Sequence, residues 1–279
     1  MAKSSENLQD DSGQTFWDHL DVLRGVLLRI LAVTLLFTVV AFCFKDEVFA
    51  VVLAPKSPDF ILYRLLADVA SRLGMSGAEW FDVSLINTGL AQQFMIHMKT
   101  AFCVGLIVAS PYILHQLFGF VSPALYDKER KYSLRLLIGG YIMFLLGVAI
   151  SYFIIFPLTF RFLGTYQVSA EVTNLISLES YMSVLIMLCL FMGIMCELPV
   201  LAYIATKAGI IDSGFLKRYR RHAILVILVV CAIITPTSDA FTLLIVSLPI
   251  WLLYEASILI SRSASGRNAR HVSPQSSEQ

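Results

Sequence analysis

The chain has 279 residues, of which 57% are hydrophobic and 15% charged, and its formal net charge is +1. Soluble domains carry about 25% charged residues, and so sparse a set cannot cover a water-facing surface. A soluble domain and a disordered chain are excluded, and the near-zero net charge leaves no field to hold nucleic acid. With a mean hydropathy of +0.75, the chain reads as an all-α polytopic membrane protein.

Residues 1–17 are polar and acidic, with Glu6, Asp10 and Asp11. They lack both the basic start of a secretory signal and the Arg-rich character of a transit peptide. The mature chain is therefore expected to begin near Met1, with a cytoplasmic N-terminal segment over 1–17. Apolar runs follow at Val26–Phe44, Gln93–Phe118, Leu134–Phe156, Ser180–Ala205, Ala223–Thr235 and Ala240–Ile260. A spanning helix needs about 20 residues. The fifth run is shorter, but the polar turn at Thr235–Asp239 makes runs five and six a hairpin of short helices. The expectation is one six-helix domain over 18–262 and a disordered cytoplasmic tail over 263–279.

Lys and Arg set the orientation. Fourteen lie in the N-terminal segment, the 2–3 and 4–5 loops and the tail, against five in the opposite loops. Both termini are thus expected in the cytoplasm. In the long external segment from Lys45 to Gln92, Arg64, Asp68 and Arg72 form a polar stripe among Phe60, Ile61, Leu65, Leu66, Val69 and Leu73. That pattern predicts an amphipathic helix at the outer interface or capping the bundle. The 3–4 loop is expected over Leu158–Glu179.

Ionisable residues inside spans are functional candidates by default. Arg29 and Lys99 lie near run ends and can snorkel; His97 and His115 read as satisfied interfacial histidines, and Glu255 as half-solvated. Glu197 stands two turns inside run four, before Pro199, which removes a backbone donor and kinks the helix. A protonated carboxyl bonded to a neighbouring helix and a carboxylate facing a polar crevice fit equally well. Pro111 is expected to bend run two, and Ala101, Gly105 and Ala109 form a close-approach face. The five cysteines form no CxxC pair and read as apolar filler. Nucleotide, metalloprotease and nucleophile-elbow motifs are absent, so neither an enzyme nor a cofactor is expected.

Seven motifs, in order, resemble the TatC family, the polytopic subunit of the twin-arginine protein translocase. They are His19-Leu20-x-x-Leu23-Arg24; Ala54-Pro55; Phe120-x-x-Pro123-Ala124-Leu125-Tyr126-x-x-Glu129-Arg130; Phe156-Pro157; Glu197-x-Pro199-Val200; Thr235-Pro236 with Asp239; and Leu248-Pro249 with Tyr254-Glu255. The resemblance implies a receptor for twin-arginine signal peptides of folded cargo, assembled with single-span TatA/TatB-type subunits and with further copies of itself in the lipid bilayer of a bacterial cytoplasmic membrane, and driven by the proton motive force. It implies signal-peptide contacts at Leu20, Arg24, Phe120, Pro123, Leu125, Tyr126 and Glu129. It implies polar or partner contacts at Glu197, Gln116 and Glu255, and structural roles for Pro55, Pro111, Pro199, Pro236 and Asp239. The family's N-terminal box carries Glu where this chain has Val22, and Asp18 or Asp21 is the candidate substitute. The Thr237-Ser238-Asp239 turn is one residue longer than the family's. A proton-coupled secondary transporter using Glu197 is the alternative; it would call for internal repeats, and none is evident.

Overall fold

The computed structural model describes residues 16–73, 84–121, 133–167, 169, 174–207, 209, 211, 213–235 and 239–272. Among them the chain is helical apart from connections and a two-residue parallel ladder. Five stretches are long and apolar enough to cross a membrane: Leu20–Cys43, Gln92–Phe120, Leu136–Thr165, Leu178–Lys207 and Ala240–Ser263. They correspond to runs one, two, three, four and six.

The first stretch lies in α1 (Phe16–Cys43) and the second in α4 (Gln92–Val121). These two helices pack closely against each other. A Cβ on Gly105 of α4 would stand 2.6 Å from the Thr38 hydroxyl of α1 and 2.7–2.8 Å from Thr38 backbone atoms. Ala101 and Ala109, one turn to either side, are buried with it. The small-residue stripe is therefore the contact itself. The seam is antiparallel, because Phe42 near the end of α1 meets Phe94 and His97 near the start of α4.

Between α1 and α4 the chain forms α2 (Lys45–Leu53), a 3-10 turn at Ala54–Lys56 and α3 (Ile61–Arg72). Pro55 has no N–H for the carbonyl of Val51, four residues back. The Tyr152 hydroxyl donates to that carbonyl at 2.5 Å, and the Tyr181 hydroxyl donates to the Val52 carbonyl at 3.0 Å. Two tyrosines from later spans thus hold the helix end that the proline opens. A third, Tyr63 of α3, donates to the Pro157 carbonyl at 3.1 Å, which seats the amphipathic helix on the bundle.

Burial pushes the Tyr63 hydroxyl from 10.0 up to about 12, with the nearby Arg161 charge pulling it back. The folded state therefore favours the neutral phenol. Its contribution to stability is complete below pH 10.0 and is lost as pH rises towards 12. Tyr63→Phe is expected to loosen α3 by about 1 kcal/mol at neutral pH through the lost hydrogen bond. It should also remove this alkaline limb. Limited proteolysis of the 44–91 segment across a pH series checks both.

The third span comprises α5 (Ser133–Ile150), a π turn at Ser151–Ile155 and α6 (Phe156–Thr165). The 3–4 loop therefore begins after Thr165 rather than at Leu158. Pro157 sits in the first turn of α6, where a missing donor is tolerated, so it continues the helix. The fourth span is α7 (Leu178–Met195) and α8 (Leu198–Lys207). Leu85–Ile86 (β1) pairs with Ile176–Ser177 (β2) and joins the 1–2 and 3–4 connections. The core lies where α7 meets α4, α5 and the π turn, around Leu188, Met192, Ile155 and Phe156.

After α9 (Ser213–Arg218), α10 (Arg220–Ile234) covers the fifth run with 15 residues. At about 1.5 Å per residue it is shorter than a bilayer's apolar thickness. The last helix, α11 (Ala240–Val272), continues ten residues past the expected domain end at 262. The segment 263–272 contains no proline to stop it.

Candidate functional site

The antiparallel α1–α4 seam brings the first turns of α1 to the end where α4 finishes. Leu20, Asp21, Val22 and Arg24 are exposed there, and Phe120 is half-buried in the last turn of α4. Asp18 lies in the first turn of α1, but its side chain is outside the described residues, as are Pro123, Leu125, Tyr126 and Glu129. Both expected halves of the recognition face therefore flank one end of this seam: the N-terminal box on α1, and the exit of α4 into the 122–132 segment.

Glu197 interrupts the fourth span. The Glu197 amide donates to the Ile194 carbonyl at 3.1 Å, a tighter i→i−3 bond, and α8 resumes with the Leu201 amide on the Glu197 carbonyl. Pro199 offers no donor to the Met195 carbonyl, so the helix cannot run straight through. The carboxyl is 7% exposed, and neither oxygen has a hydrogen-bond partner among the described residues. It projects into a slot left by Gly140 of α5. A Cβ at Gly140 would lie 3.1 Å from the Glu197 carboxylate and 3.2 Å from the Phe118 ring. Glu197 is thus level with the last turns of α4. Among the described residues the carboxyl meets neither a bonding partner on a neighbouring helix nor a polar crevice; it is buried beside Gly140 and Phe118.

The other intramembrane polar candidates are differently placed. Glu255 of α11 forms a two-point ion pair with Arg220 at the start of α10. The Tyr254 hydroxyl donates to the Leu216 carbonyl at 2.8 Å, fixing α9 to α11. Glu255 therefore closes the α10–α11 hairpin, a role hidden in sequence because its partner lies 35 residues away. Gln116 donates to the Tyr112 hydroxyl of its own helix at 2.8 Å.

The prolines and Asp239 follow one logic. Pro111 leaves the Ile107 carbonyl without an amide, and the Ser110 hydroxyl donates to it at 2.7 Å. With that carbonyl satisfied, α4 continues through the proline to Val121. Pro55 is buried and answered by Tyr152. Pro236 lies outside the described residues. Asp239 caps α11, accepting from the Thr242 amide at 2.7 Å, as an N-cap carboxylate does. The longer turn keeps this cap.

At the opposite end of the molecule, Gln92 was not singled out by the sequence. Its side-chain oxygen accepts from the Thr88 and Gly89 amides, and its amide nitrogen donates to Glu179 at 2.8 Å. Lys99 lies 3.8 Å from the same Glu179, so it is paired rather than only snorkelling. His97 stacks on Phe42 with ring centroids 4.0 Å apart. Its Nε2 has no hydrogen-bond partner among the described residues, against the expectation of a satisfied histidine.

A family model described as Sec-independent protein translocase protein (TatC) matches residues 18–249. The TatC protein of Blattabacterium sp. subsp. Periplaneta americana is 34% identical over 251 residues, covering 88% of this chain and 94% of that protein. The TatC protein of Deinococcus radiodurans is 30% identical over 246 residues, covering 88% and 85%. A crystal structure of the twin-arginine translocase receptor TatC matches with a TM-score of 0.72 and 32% identity, over 88% of this chain and 99% of that one. The in-order motifs, the helical bundle with its proline-broken fourth span, and these matches together establish that the chain belongs to the TatC family of Sec-independent protein translocase proteins.

Proposed function

We propose that this chain is the receptor subunit of a twin-arginine translocase, binding the signal peptides of folded cargo at its cytoplasmic face. The observation that carries the reading is the convergence of Leu20, Asp21 and Arg24 with Phe120 at one end of the α1–α4 seam, where the 122–132 segment with Glu129 departs. Guanidinium pairs bidentately with carboxylate, and lysine cannot reproduce that fork. Glu129 supplies one carboxylate, and Asp18 or Asp21 supplies the second in place of the acid that Val22 lacks. Leu125 and Tyr126 are the apolar residues that the family motif adds to this role.

In this reading α10 completes a sixth, shortened span, both termini are cytoplasmic, and the membrane is the bacterial inner membrane. TatA/TatB-type single-span subunits and further copies of this chain assemble around the bundle, with transport driven by the proton motive force. The unpartnered Glu197 carboxyl offers such a partner, or the signal peptide, a polar contact inside the membrane.

The test is site-specific photo-crosslinking from residues beside Glu129 to a signal peptide. A crosslink is expected with an Arg-Arg peptide, and it should fall at least to background with Lys-Lys or with Glu129→Ala. Equal crosslinking of all three would overturn the assignment. The substitute acid is identified by export in Asp18→Ala and Asp21→Ala; if neither impairs export, Glu129 acts with another acid.

A further inference from the structure

We infer that α3 is a membrane-contact element whose exposed apolar row rests on the phospholipids of the outer leaflet, while its other apolar side caps the bundle. The helix has three sides. Phe60, just before its first turn, and Tyr63 are buried; Phe60 packs edge-on to Tyr152, and Tyr63 is bonded to Pro157. Ile61, Leu65, Val69 and the cap residue Leu73 recur every four residues, forming one row along the helix. They are 63%, 58%, 45% and 70% exposed. Arg64, Asp68 and Ser71 form the remaining, polar side, and Arg64 pairs with Asp59 at 3.3 Å.

What covers the row is read from its surroundings. Phe60 stacks on Phe153 with ring centroids 5.9 Å apart and planes 16° from parallel. Phe153 and Ile154 belong to the third span and are exposed on it. An exposed apolar side chain within a span faces acyl chains, so the row begins where the lipid-facing surface of span three ends and continues it sideways. Charge agrees. Arg64 and Arg72 stand three residues after Ile61 and Val69, on one edge of the row, where a guanidinium on an apolar stem can reach a lipid phosphate. An aqueous surface would leave four large aliphatic side chains uncovered in a line, and a purely capping helix would not need them.

The test uses the full chain in nanodiscs of phosphatidylethanolamine and phosphatidylglycerol. Cys43 is the exposed cysteine and the other four are buried, so Cys43→Ser is the background. Single cysteines are introduced in turn by Ile61→Cys, Leu65→Cys, Asp68→Cys, Val69→Cys and Ser71→Cys, and spin-labelled. Collisions with oxygen, which concentrates in lipid, and with a nickel chelate, which stays in water, are compared. Positions 61, 65 and 69 should show several-fold higher oxygen-to-nickel ratios than 68 and 71. Nickel access at 65 and 69 equal to that at 68 would overturn the proposal in favour of a water-facing cap. Exclusion of both reagents at 65 and 69 would overturn it in favour of a protein occupant, a second copy included. Because the labels replace exposed side chains, folding is retained and checked by gel filtration.

Discussion

Gly105→Ala is expected to destabilise the bundle by roughly 3 kcal/mol, the upper end for overpacking. The added Cβ meets not only a hydroxyl but the Thr38 backbone at 2.7–2.8 Å. Helix axes would have to separate, and the loss would spread along the faces of Ala101 and Ala109. Gly105→Leu should prevent accumulation of the protein. Gly139→Ala is the control: nothing lies within 4 Å of its added Cβ, so it should be neutral or, through helix propensity, slightly stabilising. Thermal unfolding in detergent separates the two. Equal losses at 105 and 139 would show that glycine flexibility, not the α1–α4 contact, is what matters.

The second large effect is expected at Glu197. A buried polar group without a partner costs about 1–3 kcal/mol. Glu197→Met keeps the volume and removes that cost, so the purified chain should become more stable by a similar amount. If the carboxyl is a contact for partner subunits or signal peptide, export of a twin-arginine reporter should fall in the same variant. That combination, gained stability with lost activity, marks a group held in the fold for function. A loss of stability would mean instead that water or lipid satisfies the carboxyl in the membrane. Unchanged export would remove Glu197 from the transport path.

Much of the scaffold was readable because it is local. Runs of apolar residues long enough to span, the polar stripe of Arg64, Asp68 and Arg72, and the Glu197–Pro199 break all depend on neighbours within a few turns. The small-residue stripe at 101, 105 and 109 announced a close helix contact but not its partner, Thr38. The hidden features join distant residues. Arg220, counted only as a topological charge, holds Glu255. Gln92 and Lys99 both meet Glu179. The tyrosines that bind the carbonyls beside Pro55 come from positions 152 and 181. Hydropathy also placed the end of the third span too early, since Pro157 reads as a stop when it is a first-turn residue of α6. For the recognition face, sequence motifs name Glu129 and its neighbours, and the fold supplies the common end that α1 and α4 share.

The α1–α4 seam also bears on biogenesis. The first two spans to leave the ribosome pack closely on each other, so the earliest helix pair can pack before the remaining spans exist. The 48 residues between Cys43 and Gln92 separate the two helices, yet loop-closure entropy grows only slowly with length, by about 0.6 kcal/mol per doubling. Most of α1 stays lipid-exposed even in the finished bundle, so it waits for α4 at little cost. A fault at Gly105 would therefore be met during synthesis, as an unpaired first helix, before the core around Leu188 and Met192 has been made.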